Sequence, residues 1–502
     1  MSKKNGITGT LLSVGGIVIL AKIFGFIKQT VTANTFGATI QTDIISLSEG
    51  LVGNLDYLLV QTLATAFIPT YIYAKSEDKE KGDLFISNAI KVFLIISLAI
   101  SAAVFAGAPL VSRVLAPSYP AAQSAWLAKY IRIFAPVLVV IVELAIFNAV
   151  LKANEIFLPG EMIGLNQSLI LIALVLLFGN RWGPDTLAVG FYAYALFNLT
   201  FLIFMSRNLW HFRRGNMFAD PNIRKLLLMM GPLLLGYAMV FINQHVDMII
   251  VSGLGDGTVT AMGYAAVLSN FVGTFVGSLC GVLFTYVTQG IAEKRDRDAA
   301  ELTMKSACQI GTLLLPISIL IVICSKDIVT IVFGRGKFDA TAVQSCSMAL
   351  IGYGSMFVPL VARELFSRFQ YAYGDSKRPM INSTIAIVFN IVFSILLSRF
   401  MGVLGVTLAT SISVLISAVL NVFSSRKKNR HINLHGIARY IPIWLVGALA
   451  CAGIALGGMR LLAGAGSLLR FVCITAAALA VYGVIALPII KPLIGGLMKG
   501  RR

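Results

Sequence analysis

Residues 21–43 read AKIFGFIKQTVTANTFGATIQTD. The stretch is apolar enough to cross a lipid bilayer, yet Lys22 and Lys28 interrupt it and Asp43 follows just past a glycine-containing break. A charge inside hydrocarbon costs kilocalories unless it is wetted or paired. These charges therefore need either water or partners, and the flanking chain says which kind of protein must supply them.

Of the 502 residues, 57% are hydrophobic and 13% charged, with a mean hydropathy of +0.85. No soluble domain of this length needs that balance. Apolar runs long enough to span a core of about 30 Å recur along the whole chain. They fall at roughly 7–36, 42–74, 84–112, 122–151, 158–179, 185–206, 224–252, 258–290, 301–333, 340–373, 379–399, 403–425, 438–459 and 468–490. The expected fold is an all-α polytopic membrane protein of about fourteen spans. The first run is too long for a signal peptide and is broken by Lys22, so it reads as a retained helix.

The breaks between spans alternate in charge. KSEDKEKGD (75–83), RNLWHFRRGNMFADPNIRK (207–225), AEKRDRD (292–298) and SSRKKNRHINLHGIAR (424–439) are rich in Lys and Arg. The opposite side carries only scattered cations such as Arg113, Arg181, Arg335 and Lys337. By the positive-inside rule the first set, with both termini, is cytoplasmic. The net charge of +19 is spread over many short loops, which argues for topology and anionic-lipid contact and against nucleic acid. The six cysteines all lie in apolar segments without metal-like spacing, so buried structural thiols are expected and no metal site. No P-loop, HExxH or GxSxG is present, which argues against an enzyme. No cofactor is expected, and any work must come from membrane potential, a coupling ion, a substrate gradient or a partner.

A weak internal repeat organises the chain. NAVLKANEIFLPGEMIGLN (148–166) and RFQYAYGDSKRPMINSTI (368–385) align at an offset of 220, with Pro159 opposite Pro379, and FGATIQTD (36–43) resembles GLGDGTVT (253–260). This predicts two six-helix lobes, 1–215 and 216–430, followed by two additional helices in 431–502. Parallel repeats of this kind place a substrate site between the lobes and work by alternating access.

Charges inside the spans mark candidate sites. Lys22 and Lys28 border one broad polar face of the first helix. Glu49 and Asp56, seven apart, share a face of the second, with Asn54, Tyr57 and Gln61 nearby. Two consecutive antiparallel helices suggest Lys–carboxylate pairs between them, either as a structural link or as the lining of a hydrated cavity that receives an anion. Glu143, His245, Asp247, Arg363, Glu364 and Arg368 are further intramembrane charges, with Arg368 at i+4 from Glu364 in pairing register.

The opening LAKIFGFIKQTVTANTFGATIQTD (20–43), ATAFIPTYIYAK (64–75), IVFGRGKFDATAV (331–343), YAYGDSKRP (371–379) and GVLGVTLATSIS (402–413) together resemble the MurJ/MviN family. These are flippases of the multidrug/oligosaccharidyl-lipid/polysaccharide exporter superfamily. The resemblance implies two lobes around a central cavity, with the C-terminal helix pair lining a groove for a lipid tail. It implies transport of an undecaprenyl-diphosphate-linked glycan, the peptidoglycan precursor lipid II, across the bacterial cytoplasmic membrane. Membrane lipids, and cell-wall synthesis proteins as candidate partners, belong to the same expectation.

On this resemblance Lys22 and Lys28 hold the diphosphate, while Asp43, Glu49, Asp56 and Arg363 supply cavity charge or gating. Two positions depart from the pattern. GNLDYLL (53–59) puts Asn54, Leu55 and Asp56 where lipid II flippases carry a cation, and GYAAVLSN (263–270) puts Val267 where they carry an arginine. A flippase for another lipid-linked polysaccharide, a cation-coupled multidrug exporter and a non-transporting cell-wall scaffold therefore remain as alternatives.

Overall fold

In the computed structural model, backbone is described for residues 2–433 and 435–499. Side chains of 2–15, 54, 56, 57, 61, 64, 232, 233, 235–241, 435, 437 and 490–499 lie outside the description. The described residues form eighteen α-helices: α1 Ser2–Phe36, α2 Ile40–Glu77, α3 Lys79–Leu115, α4 Ala121–Phe134, α5 Val137–Ala153, α6 Leu158–Trp182, α7 Asp185–Ser206, α8 Pro221–Ser252, α9 Thr258–Ala292, α10 Asp296–Ile323, α11 Ser325–Val332, α12 Ala340–Gly354, α13 Phe357–Ala372, α14 Lys377–Met401, α15 Val403–Lys428, α16 His435–Ala438, α17 Ile441–Leu461 and α18 Ser467–Lys499. Helices are the natural answer to these apolar runs, since every backbone N–H and C=O must be satisfied within the segment where no water can reach it.

All fourteen apolar segments coincide with helix. Among the described residues twelve spans are long and apolar enough to cross a bilayer, and the bent pair α12–α13, at 44°, makes a thirteenth if it is one span. The remaining segment is α8, 32 residues long. The chain is a multi-pass membrane protein. Three of the expected single helices are broken: the fourth into α4 and α5, the ninth into α10 and α11, the tenth into α12 and α13. Polar side chains start several helices at the wet ends. Asp78 accepts from Glu80 N–H at 3.1 Å, Asp220 from Asn222 N–H at 2.9 Å and Asp339 from Ala342 N–H at 2.8 Å.

The internal repeat is sharper in the backbone than in the residues. The α4–α5 pair breaks at 135–136 and the α12–α13 pair at 355–356; α6 and α14 are both 25 residues long. After α5, Glu155 turns to φ +62° while Ile156 N–H reaches back to the Leu151 carbonyl. After α13, Gly374 at φ +73° and the Asp375 N–H to Gln370 bond repeat that turn 219 residues later. Gly183 and Gly402 recur at the same offset with φ +60° and +58°. These are left-handed helix ends in which orphan carbonyls are recaptured.

The chain divides into two compact units. The first contains the residues up to Thr260 together with Gly336–Phe338. Its main core packs Phe67, Tyr71, Phe85, Ile86, Ile146 and Leu226 between α2, α3, α5 and α8. Helix α8 thus packs against α2 and α3. The second unit contains Ala261–Arg335 and the chain from Asp339 onward. Within it α17 and α18 pack on each other and on α10, with Cys451, Ala455, Ile474, Ala478 and Tyr482 meeting Leu320 and Cys324. Asp327, fully buried, is held there by the Arg470 guanidinium. Five cysteines are buried as expected; Cys473 is exposed, because it lies on an outer face of α18.

Candidate functional site

The helix that carries the two lysines does not pair with its neighbour in sequence. Helix α1 lies along α6 and barely touches α2. Small residues allow this: a Cβ on Gly25 would stand 3.8 Å from Ser168 Oγ, one on Gly164 4.0 Å from Ala21, and one on Gly179 3.0 Å from Thr35. Close backbone approach through small residues is a standard way for helices to associate where lipid offers no hydrophobic drive. Among the described residues neither lysine forms an ion pair, so no bridge to Glu49 is made, while the Asp56 side chain lies outside the description.

Lys22 is exposed, on a face with Ile19, Ile23 and Ile27; Lys28 is half-buried. Glu49, on α2, is also half-buried and lies within electrostatic reach of Lys28. Asp56 is on α2 seven residues further, but its side chain lies outside the described residues, as do those of Asn54, Tyr57 and Gln61.

Asp43 bonds to the start of a helix far along the chain. It is wholly buried, and its Oδ1 accepts from the Thr260 N–H at 2.8 Å. Thr260 is the third residue of α9, so its amide is one of the four that a helix start leaves without an internal partner. A carboxylate from α2 therefore caps another helix, where the dipole favours negative charge.

The same end of the unit is tied twice more. Gly37 adopts φ +69° in the α1–α2 turn, and a Cβ there would fall 2.3 Å from the Lys337 carbonyl oxygen, whose own N–H donates to the Asn34 carbonyl at 3.0 Å. Gly257 adopts φ +81°, and its Cβ would fall 2.4 Å from the Ala38 carbonyl. Only glycine combines that backbone with that contact. Tyr119, in the α3–α4 loop, completes the cluster. Its hydroxyl is buried without a partner among the described residues. Burial first, then the Asp43 and Asp256 carboxylates, push its pKa well above the usual phenol value. Thr260, Gly257, Tyr119 and the 336–337 backbone were not singled out from the sequence; the glycines in GRGK and GDGT were the one local signal.

Arg363 belongs to the second unit and is not a free cation. It donates to Glu364 at 2.8 Å, and Arg368 donates to the other Glu364 oxygen at 3.4 Å, so one carboxylate bridges two arginines. Glu143 contrasts with it. It is 8% exposed on α5, and neither carboxylate oxygen has a partner among the described residues. His245 is buried on α8.

A multi-pass chain whose described residues are helical and fall into two matching runs, with two cations on one span that form no ion pair among the described residues, has the character of a membrane transporter. The comparisons with known proteins agree and go further. The family model described as lipid II flippase MurJ matches residues 32–477, and the chain belongs to that family.

Among curated relatives, the probable lipid II flippase MurJ of Vibrio cholerae is 25% identical over 473 residues, covering 89% of this chain and 87% of the relative. That of Rickettsia prowazekii is 23% identical over 428 residues, 83% of each. Among solved structures, a lipid II flippase MurJ in an inward closed conformation superposes with a TM-score of 0.82 at 19% identity, covering 96% of this chain and 99% of its own. An inward-facing multidrug resistance MATE family transporter gives 0.64 at 12% identity, covering 83% and 97%. At these identities the structural likenesses speak for the fold.

Proposed function

We propose that this chain is a lipid II flippase that moves a polyprenyl-diphosphate-linked glycan from the inner to the outer leaflet of a bacterial cytoplasmic membrane. It would do so by alternating access, with both termini in the cytoplasm. The observation that carries the reading is the pair Lys22 and Lys28, two cations on a spanning helix without ion-pair partners among the described residues. A lysine left unpaired in a span requires water or an anionic ligand, and a diphosphate supplies the charge that matches.

Glu49 is the internal counter-charge that Lys28 faces when no substrate is bound. Asp43 is assigned to gating: its bond to Thr260, with the Gly37–Lys337 and Gly257–Ala38 contacts, forms one closed cluster within the first unit, and opening of that cluster is the step this reading requires. The polyprenyl tail runs in lipid along α17 and α18, whose outer faces expose Leu445, Leu449, Val472 and Leu479. No catalytic group or cofactor is assigned. An inside-negative potential favours outward movement of an anion by about 2.3 kcal/mol per charge per 100 mV.

The test is a reconstituted flipping assay with Lys22→Ala and Lys28→Ala, checked for insertion and monodispersity, beside depletion of the protein in cells. Both alanine variants should lose transport while Lys→Arg retains part of it, and depletion should accumulate lipid II on the inner leaflet. Normal rates in both alanine variants would refute the diphosphate role. Accumulation of a different polyprenyl-linked glycan would redirect the substrate, consistent with Asn54 and Val267 standing where the family pattern has cations.

A further inference from the structure

The second unit holds a cavity of about 720 Å³ far along the chain from the lysines of α1. Arg297 and Lys305 of α10, Arg430 of the loop after α15, and Arg439 just before α17 line it, against one carboxylate, Glu301. None of the four cations forms an ion pair among the described residues. The cavity's inner wall is apolar, made by Met304 and Cys308, both buried.

The loop that presents Arg430 is anchored from both sides. Asn429 is buried and donates to the Asp296 carbonyl and to the Tyr373 hydroxyl, each at 2.9 Å, while its own Oδ1 accepts from the His431 N–H at 2.8 Å. Ile432, 1% exposed, inserts beside Ala299, Met304 and Cys308. The cationic residue between these two anchors thus stands on fixed backbone. Four exposed cations share the lining with a single carboxylate, Glu301, so the cavity carries a net positive charge that an anion would balance.

The position says which anion. The cavity sits where α10 and α17, both apolar spans, begin. Tyr440 lies in its wall and Trp444 one turn on, its indole N–H bonded to Thr312 Oγ1 at 2.7 Å. Tyr and Trp at the ends of spans mark the headgroup level of a bilayer. Basic pockets between spanning helices at that level take phosphate headgroups. We infer that this cavity binds the phosphate headgroup of an anionic membrane phospholipid, with Arg297, Lys305, Arg430 and Arg439 as its donors and the acyl chains remaining in the bilayer beside α17. The site is distinct from the diphosphate grip on α1, and it can stand or fall independently of transport.

The experiment titrates purified full-length protein in phosphatidylcholine nanodiscs with phosphatidylglycerol, reading bound lipid by native mass spectrometry. Wild type should bind phosphatidylglycerol in preference to phosphatidylcholine. Arg430→Ala with Arg439→Ala should weaken that binding about twenty-fivefold, taking roughly fivefold for each cation at the membrane surface. Arg430→Lys with Arg439→Lys should retain most of it. Should the double alanine variant fail to fold, Arg297→Ala with Lys305→Ala, both exposed on α10, reads the same loss. Unchanged affinity in a folded alanine variant overturns the proposal. Equal displacement by inorganic phosphate would make it a soluble-anion site, and binding of undecaprenyl diphosphate alone would assign it to the substrate; either result also overturns it.

Discussion

Asp43→Ala removes the acceptor of the Thr260 amide and leaves that amide at a helix start with no replacement, because the site is wholly buried. A hydrogen bond to a charged group contributes about 1.5–3 kcal/mol, and each 1.4 kcal/mol is about tenfold in an equilibrium. Opening of the first turn of α9 should become roughly 10 to 150 times more frequent. Asp43→Asn keeps an oxygen acceptor without the charge, so it should lose roughly half of that energy.

Hydrogen–deuterium exchange read by mass spectrometry on peptides spanning 253–263 measures this directly. The alanine variant should exchange fastest, the asparagine variant at an intermediate rate and wild type slowest. Peptides spanning 334–340 should speed up in parallel, because the Lys337 N–H is bonded to Asn34 in the same cluster. Exchange within twofold of wild type in Asp43→Ala would refute the capping role. Faster exchange confined to 253–263 would show that the contacts do not open as one gate.

Gly257→Ala should lower the melting temperature in detergent well beyond Gly374→Ala. Both pay the left-handed strain of roughly 1–2 kcal/mol, but only at Gly257 does the new Cβ meet a carbonyl at 2.4 Å; Gly374 faces open space. Arg470→Ala should destabilise the C-terminal helices by about 3–5 kcal/mol by leaving Asp327 charged and buried, and adding Asp327→Leu should recover most of the loss in the same melt. Glu143→Leu should raise the melting temperature, since an unsatisfied buried polar group costs about 1–3 kcal/mol; a lowered one would reveal a partner that Glu143 needs.

The spans were legible because the physics that makes them is local. A run of apolar residues in lipid has to be helical, so composition alone located all fourteen segments. The breaks at 135–136 and 355–356 were not. One contains Pro136, but Ser355 and Met356 are unremarkable in sequence, and the apolar runs 122–151 and 340–373 continue through both breaks. The repeat was visible through Pro159 and Pro379, although the matching left-handed turns, Glu155 and Gly374, fall one residue off the offset those prolines gave. Glutamate at φ +62° gives no warning of that turn; glycine does.

The residue chemistry along the chain by itself determined that this protein crosses the membrane many times, that its first helix carries two cations in need of a partner, and to which family it is similar. Tertiary structure decided what those residues face. A three-residue turn brings the ends of α1 and α2 together but leaves their faces free, and the glycines of α1 and α6 drew α1 to a helix more than a hundred residues away. The family resemblance makes Asp43 a cavity or gating charge; its partner, Thr260, stands 217 residues further on. Hydrophobicity acts residue by residue and is written in order, whereas a hydrogen bond or a close backbone contact depends on where two distant segments meet.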